Sequence, residues 1–180
     1  MKKILLIAVM AIACVAFVNA QPRAIGVRLG GFDGVSYQHG FGESNMLEVE
    51  AGWGLNGCLN AGVAGWHGYN FQAAVTYDWI DPFGAKFNWD KKGEWHWYLG
   101  VGGAGGYGWH VSSWAWGYGA SGFGFVGAAG RCGVEYDFWF PLQLSIDFRP
   151  VIGAAFDANS AYAYWDIWAS AFGLSARYKF

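Results

Sequence analysis

Apolar and polar residues alternate along several stretches of this chain, and the last stretch shows the pattern best. From residue 172 to the end, every second side chain is apolar or aromatic, and small or charged side chains stand between them. Successive side chains of a β-strand point to opposite faces, so the pattern predicts a strand with one apolar face. The apolar positions of this terminal strand are Phe172, Leu174, Ala176, Tyr178 and Phe180. None of the stretches shows the period of about 3.6 that an amphipathic helix would require.

The composition is too apolar for an ordinary water-soluble domain. Aromatic residues make up 20% of the chain and charged residues only 13%, whereas a soluble domain carries about 25% charged residues. No run after residue 20 approaches the ~20 apolar residues of a membrane-spanning helix. The remaining structure that satisfies every backbone polar group in lipid is a closed β-barrel. Aromatic girdles at the two interfaces of such a barrel would account for the excess of Trp and Tyr.

The alternation predicts an all-β fold, a closed eight-stranded antiparallel transmembrane β-barrel in up-and-down meander order. The predicted strands span residues 23–31, 34–40, 45–56, 68–80, 95–108, 121–138, 141–152 and 164–180. Residues 30–34 could instead form a kink in one long strand. We expect a hairpin there, because single-chain bacterial barrels have even numbers of strands.

The first 20 residues have the three parts of a secretory signal peptide. Residues 1–3 are a cationic start, residues 4–18 are almost wholly apolar, and a small-residue cleavage site ends at Ala20. We therefore predict a signal peptide at 1–20 and one barrel domain at 21–180. A membrane anchor is the first alternative, but the apolar run is short for it. Lipidation of Cys14 is the second, although the residues before it lack the expected Leu.

The charge of the mature chain argues against a nucleic-acid partner. Cleavage removes two lysines and leaves nine basic and 13 acidic residues, a net charge of −4. The mature chain therefore has no overall basic footprint for nucleic acid.

Several segments, taken in order, resemble one known family. They are Ala24-Ile-Gly-Val-Arg-Leu-Gly30, Met46-Leu-Glu-Val-Glu-Ala-Gly-Trp53, Trp97-Tyr-Leu-Gly-Val-Gly-Gly103, Gly133-Val-Glu-Tyr-Asp137 and the ending Tyr178-Lys-Phe180. With the signal peptide, they resemble the small eight-stranded outer-membrane barrels of the OmpA/OmpX type. The resemblance implies a bacterial outer-membrane location, contact with outer-membrane lipid, and usually no catalysis. It also implies that the terminal strand, ending at Phe180, is the signal that the barrel-assembly machinery binds transiently. The family does not fix one function.

An eight-stranded barrel places both chain ends on the periplasmic side. The outside loops are then residues 32–33, 57–67, 109–120 and 153–163, and the periplasmic turns are 41–44, 81–94 and 139–140. Periplasmic turns of barrels are usually short. The 81–94 turn is long and carries three lysines, and the sequence offers no reason for it.

The inward strand faces carry four arginines and five acids. They are Arg28, Glu48, Glu50, Asp78, Arg131, Glu135, Asp147, Arg149 and Arg177. Eight strands leave an interior just wide enough for side chains, and buried ions persist only when they are paired. We predict a salt-bridge network that plugs the lumen and gives the barrel a structural or surface-contact role. A narrow gated channel is an alternative.

A lipid-modifying enzyme is the other alternative function. His67 and His110 are expected in outside loops, and Ser112 and Ser113 follow His110, which supplies a nucleophile and a base. No acid lies between residues 94 and 135 to complete the arrangement. We therefore expect no catalytic residue. His96 is expected to be a packed interior group.

We expect no metal and no cofactor, and the sequence does not identify a surface ligand. The histidines never stand two or four residues apart. The glycine-rich stretch 100–108 lacks the Lys-Ser/Thr ending of a phosphate loop. Cys58 and Cys132 are expected to be free thiols, because one lies in a loop and the other points outward from a strand.

Overall fold

The computed structural model of this protein describes most of the predicted barrel. The described residues are 23–31, 33–42, 44–56, 66–81, 92–112, 120–167 and 171–180. The predicted signal peptide, Cys14, Cys58 and Ser113 lie outside the described residues.

The described chain forms ten β-segments. They are β1 (Arg23–Gly30), β2 (Asp33–Phe41), β3 (Asn45–Asn56), β4 (Trp66–Ile80), β5 (Gly93–Ser112), β6 (Ala120–Phe138), β7 (Leu142–Phe148), β8 (Val151–Phe156), β9 (Ala161–Asp166) and β10 (Phe172–Lys179). Within the described ranges, no helix is long and apolar enough to cross a membrane.

The segments close into a barrel of eight antiparallel strands, which confirms the predicted fold class. Each of β1 to β6 pairs with the next, β7 pairs with both β6 and β10, and β10 pairs with β1 to complete the ring. The β8–β9 hairpin continues the seventh and eighth strands beyond the ring. We call the end of the barrel that holds residues 23 and 180 the terminal end, and the opposite end the far end.

The seventh strand is interrupted at Pro150, which the sequence analysis placed inside one continuous strand. Proline has no N–H to donate to a ladder. Its carbonyl nevertheless accepts a hydrogen bond from Gly130 N at 3.0 Å, and Arg149 N donates to Ala171 O at 2.8 Å. Both neighbouring strands therefore stay attached across the interruption, and β8 continues alongside β6.

The predicted outside loop at 153–163 is wrong. Strand β8 runs to Phe156 and β9 begins at Ala161, so only four residues connect them. Asp157 closes this tight turn, because its Oδ1 accepts hydrogen bonds from the backbone N–H groups of Asn159 and Ser160, both at 2.8 Å. These hydrogen bonds stabilise the four-residue turn.

The strands next to two other predicted loops are also longer than expected. His67 lies within β4, and His110 and Ser112 lie within β5, although all three were assigned to the 57–67 and 109–120 loops. The backbones of these residues are paired: His67 stands opposite Val111, and Trp66 stands opposite Ser112. Alternation alone did not locate these strand ends, because both faces there carry Gly, His and aromatic residues.

The outer wall of the barrel is a band of exposed aliphatic side chains between two aromatic bands. Aliphatic members include Val27, Val49, Val75, Val101, Leu144, Ile146 and Leu174. The aromatic band near the terminal end contains Trp79, Trp95, Trp139, Phe140, Tyr178 and Phe180. The aromatic band near the far end contains Trp53, Phe71, Tyr107, Phe156 and Trp165.

Candidate functional site: the charged lumen

All nine charged residues that were predicted to face inward are buried in the lumen, each at most 5% exposed. They are Arg28, Glu48, Glu50, Asp78, Arg131, Glu135, Asp147, Arg149 and Arg177. They come from β1, β3, β4, β6, β7, β10 and the interruption after β7. The period of two along a strand accounts for this, since every second side chain of these strands points inward.

Arg131 stands at the centre of the network. Its Nη1 donates to Asp78 Oδ2 at 2.8 Å and to Glu48, while its Nη2 donates to the Tyr98 hydroxyl at 3.0 Å and to Asp147 Oδ2 at 3.4 Å. The guanidinium also lies 4.5 Å from the centre of the Tyr98 ring, which adds a cation–π contact. A planar guanidinium suits this position because its fork of donors reaches several acceptors at once.

Arg28 and Arg149 share a second group of contacts. Arg28 Nη2 donates to Asp147 Oδ1 at 2.5 Å, and Arg28 Nε lies 3.4 Å from Glu50 Oε1. Arg149 donates to the other oxygen of Glu50. Glu50 therefore bridges two arginines, and Asp147 connects this group to Arg131.

Arg177 on β10 also binds Glu48. Its Nη2 donates to Glu48 Oε1 at 2.5 Å, and it also donates to the hydroxyls of Ser36 and Ser145, both at 2.7 Å. Gln38 Nε2 donates to Glu48 Oε2 at 2.8 Å. The sequence analysis missed Tyr98 and these neutral polar groups, although they fall on the inward positions of the strand alternation.

Glu135 is the one predicted member that the structure does not join to the ion pairs. It is buried on β6, but no Arg or Lys forms a salt bridge with it among the described residues, and its Oε2 accepts no hydrogen bond there. The four arginines therefore act through the other four acids.

His96 lies near the terminal end and contacts Asp81, the residue that follows β4. Its Nδ1 lies 2.8 Å from Asp81 Oδ2, and Asp81 Oδ1 accepts a hydrogen bond from Trp97 N at 3.1 Å. Asp81 has a left-handed backbone, with φ of 47°. These contacts compensate for that conformation. His96 stands opposite the buried Glu135 and is half-buried, so it faces the interior as expected and also binds Asp81.

The inner face of β6 and of the β8–β9 hairpin is apolar toward the far end, which the sequence did not reveal. Phe123, Phe125, Ala155 and Tyr164 pack together there as an apolar cluster. Phe125 and Tyr164 stack with their ring centres 4.7 Å apart. A second cluster of smaller side chains lies nearer the charges and also contacts Tyr164: Ala74, Ala104, Ala129 and Val151. The alternation did not predict this apolar inner face, because both faces of β6 are rich in Gly and Ala.

A methyl group at Gly173 should damage the network. A Cβ built there would overlap the guanidinium of Arg28 and force it away from Asp147. We expect Gly173→Ala to lower the free energy of unfolding by about 1–3 kcal/mol, the usual cost of overpacking. Urea unfolding followed by tryptophan fluorescence measures the loss. Gly103→Ala is the matched control, because the nearest atom to a Cβ at the outward-facing Gly103 is Gly127 O at 3.6 Å. Equal midpoints for the two variants would contradict the assignment.

The described residues offer no site for a metal. They contain no group of three or more His, Cys, Asp or Glu residues that could hold an ion. Cys132 is a free, exposed thiol on the outer wall.

The closed meander, the exposed apolar wall and the charged lumen define a β-barrel whose polar side faces inward. No protein-family model and no curated protein matches the sequence. Among solved structures, the chain is similar to a major outer membrane protein from Thermus thermophilus, with a TM-score of 0.53 and 12% sequence identity over 90% of this chain and 100% of that one. The fold is therefore that of an outer-membrane β-barrel protein, while the OmpA/OmpX-type assignment remains a resemblance.

Proposed function

We propose that this protein is an integral barrel of the bacterial outer membrane with a structural or surface-contact role. The observation that carries the proposal is the inverted distribution of its side chains: large apolar residues cover the wall and ionic residues fill the interior. A soluble protein that exposed so large an apolar surface would associate or aggregate. Lipid of the outer membrane would cover this apolar wall, and the two aromatic bands match the interfaces of a bilayer.

The lumen is proposed to be plugged rather than conducting. The arginine fork of Arg131 and the shared carboxylates of Glu48 and Glu50 cross the interior from strand to strand. An eight-stranded barrel has little interior space beyond its own side chains. We propose no cofactor and no catalytic step for this site.

A lipid-modifying activity keeps one observation in its favour. His67 and His110 lie on the neighbouring strands β4 and β5 near the far end. Turnover of lipid A or phospholipid by the purified barrel, abolished in His110→Ala, would favour an enzyme over the structural role.

Membrane recordings test the plug. We expect the full chain, inserted into a planar lipid bilayer, to show no steady conductance, because ion pairs occupy the lumen. A general porin inserted in the same bilayer is the positive control. Steady conductance by this protein would contradict the plug and favour a narrow channel. Co-flotation with lipid vesicles after a urea wash tests insertion separately, and its failure would contradict the membrane location.

A further inference from the structure

We propose that the terminal end of the barrel carries an anionic site that binds a linear diamine or polyamine through its ammonium groups. The site consists of four side chains of β5 and β6, which we call the acidic mouth: Glu94, His96, Glu135 and Asp137. Ligand binding there goes beyond the proposed structural role and does not depend on it, because it can be measured on the refolded barrel in detergent.

Strand pairing arranges the acidic mouth in two rows. Glu94 stands opposite Asp137 in an outer row, and His96 stands opposite Glu135 in an inner row. Directly opposite residues of antiparallel strands lie about 5 Å apart, and alternate residues of one strand lie about 6–7 Å apart. His96 Nε2 lies 3.5 Å from Glu94 Oε2, so side chains of the two rows approach each other.

The strongest indication of a ligand is Glu135, a buried acid that forms no salt bridge with an Arg or Lys of the described chain. Its Oε2 is buried without a hydrogen-bond partner, and so is Oδ1 of Asp137. The charge of Glu135 interacts with those of Asp137 and His96, which places it within the same cluster. A buried carboxylate is costly unless it is paired, so both oxygens are suitable acceptors for a bound cation.

The arginines deeper in the lumen do not supply that cation. Arg131 and Arg177 interact electrostatically with Glu135, but both form their salt bridges with Glu48. The four lumen arginines are paired with the four other acids of the network. The negative charge of Glu135 is therefore additional to a network that is already balanced.

Lys179 indicates which kind of cation suits the acidic mouth. Its Nζ lies 3.2 Å from Asp137 Oδ2 and donates to Phe138 O at 3.5 Å. One ammonium is therefore accepted by a carboxylate and a carbonyl, while the other oxygen of Asp137 has no partner. The described residues contain no group of three or more His, Cys, Asp or Glu that could hold a metal ion. An ammonium group, with its three donors, fits these acceptors better.

The two rows suit two ammonium groups on one chain. The inner group would bind Glu135, and the outer group would bind Glu94 and Asp137. The separation of the rows is close to that of two ammonium groups joined by four methylene groups. The ligand would enter from the terminal end, because the exposed fraction of the side chain falls from 69% at Glu94 to 26% at Asp137, and Glu135 is buried.

Calorimetric titration of the refolded barrel with putrescine, a diamine with four methylene groups, tests the proposal. We expect one putrescine per barrel at low ionic strength, and at least about tenfold weaker binding by Glu135→Gln, because a buried charge pair is lost. Asp33→Asn is the matched control, since it removes an acid at the far end, and it should bind as the wild type does. Absence of putrescine binding, or equal affinities of Glu135→Gln and the wild type, would overturn the proposal. Butylamine has one ammonium group, and equal binding of butylamine and putrescine would exclude a role for the outer row.

Two further measurements separate a ligand site from a structural effect of the substitution. Putrescine should raise the urea midpoint of the wild type but not that of Glu135→Gln, because a ligand stabilises only a protein that binds it. Lys179→Gln removes the competing ammonium at Asp137 and should bind putrescine several-fold more tightly. Weaker binding by Lys179→Gln, or an equal midpoint shift in Glu135→Gln, would contradict the site. Conductance and co-flotation would be unaffected by these outcomes, so failure of the site is distinguishable from failure of the plugged barrel.

Discussion

Replacing Arg131 with alanine should lower the free energy of unfolding by about 3–5 kcal/mol, the cost of breaking a buried ion pair from one side. The substitution would leave Glu48, Asp78 and Asp147 with fewer donors, at positions where water cannot replace them. Tyr98 would lose both its hydrogen bond and its cation–π contact. Urea titration of the refolded barrel in lipid vesicles, followed by tryptophan fluorescence, measures the change.

The matched control for this prediction is Lys179→Ala. Lys179 Nζ lies 3.2 Å from Asp137 Oδ2, but the lysine side chain is 28% exposed, near the terminal end. A partly solvated pair contributes about 0–1 kcal/mol. If Arg131→Ala were no more destabilising than Lys179→Ala, water would be screening the lumen charges and the network would not be a plug.

Removal of the Phe180 side chain should sharply reduce the amount of inserted barrel in cells while leaving refolding into detergent nearly intact. The side chain lies on the outer wall and is 63% exposed. Even full burial of a Phe contributes only about 1.5–3 kcal/mol, so stability should change little. Phe180→Ala is preferable to a deletion, because the backbone N–H of residue 180 donates to Arg23 O at 2.9 Å. Quantifying the barrel in purified outer membranes measures the effect.

Trp139→Ala is the control for assembly. Trp139 is another aromatic residue of the terminal end and is 74% exposed. It lies in the turn before β7 rather than on the last strand. Its loss should leave insertion in cells unchanged. Equal insertion of Phe180→Ala and the wild type would show that the chain end is not an assembly signal.

Alternation placed nine charged residues on the buried face, because a period of two fixes the face of each side chain whatever its partner. Arg28 and Glu48 are examples. Pairing could not be predicted in the same way. Arg28 meets Asp147 across 119 positions of sequence, and the stagger between strands decides which inward residues share a level. No local pattern encodes that stagger.

Other features were missed because a local signal was weak or ambiguous. Pro150 interrupts the seventh strand, but the alternation on either side of it reads as continuous. Phe123 and Phe125 face inward along a strand whose remaining positions are mostly small, so neither face looked apolar. Tyr98 falls on the inward face of β5, but its contact with Arg131 depends on residues from other strands.

The ring of strands closes only when β10 pairs with β1. Until the last segment is in place, β1 and β7 each keep an edge of unpaired backbone groups, which lipid does not tolerate. Until then Glu48 also lacks one of its ion-pair partners, Arg177, which lies 129 positions later in the chain. A prematurely terminated chain would therefore carry two open edges and an incomplete set of countercharges. Closure of the barrel therefore requires β10.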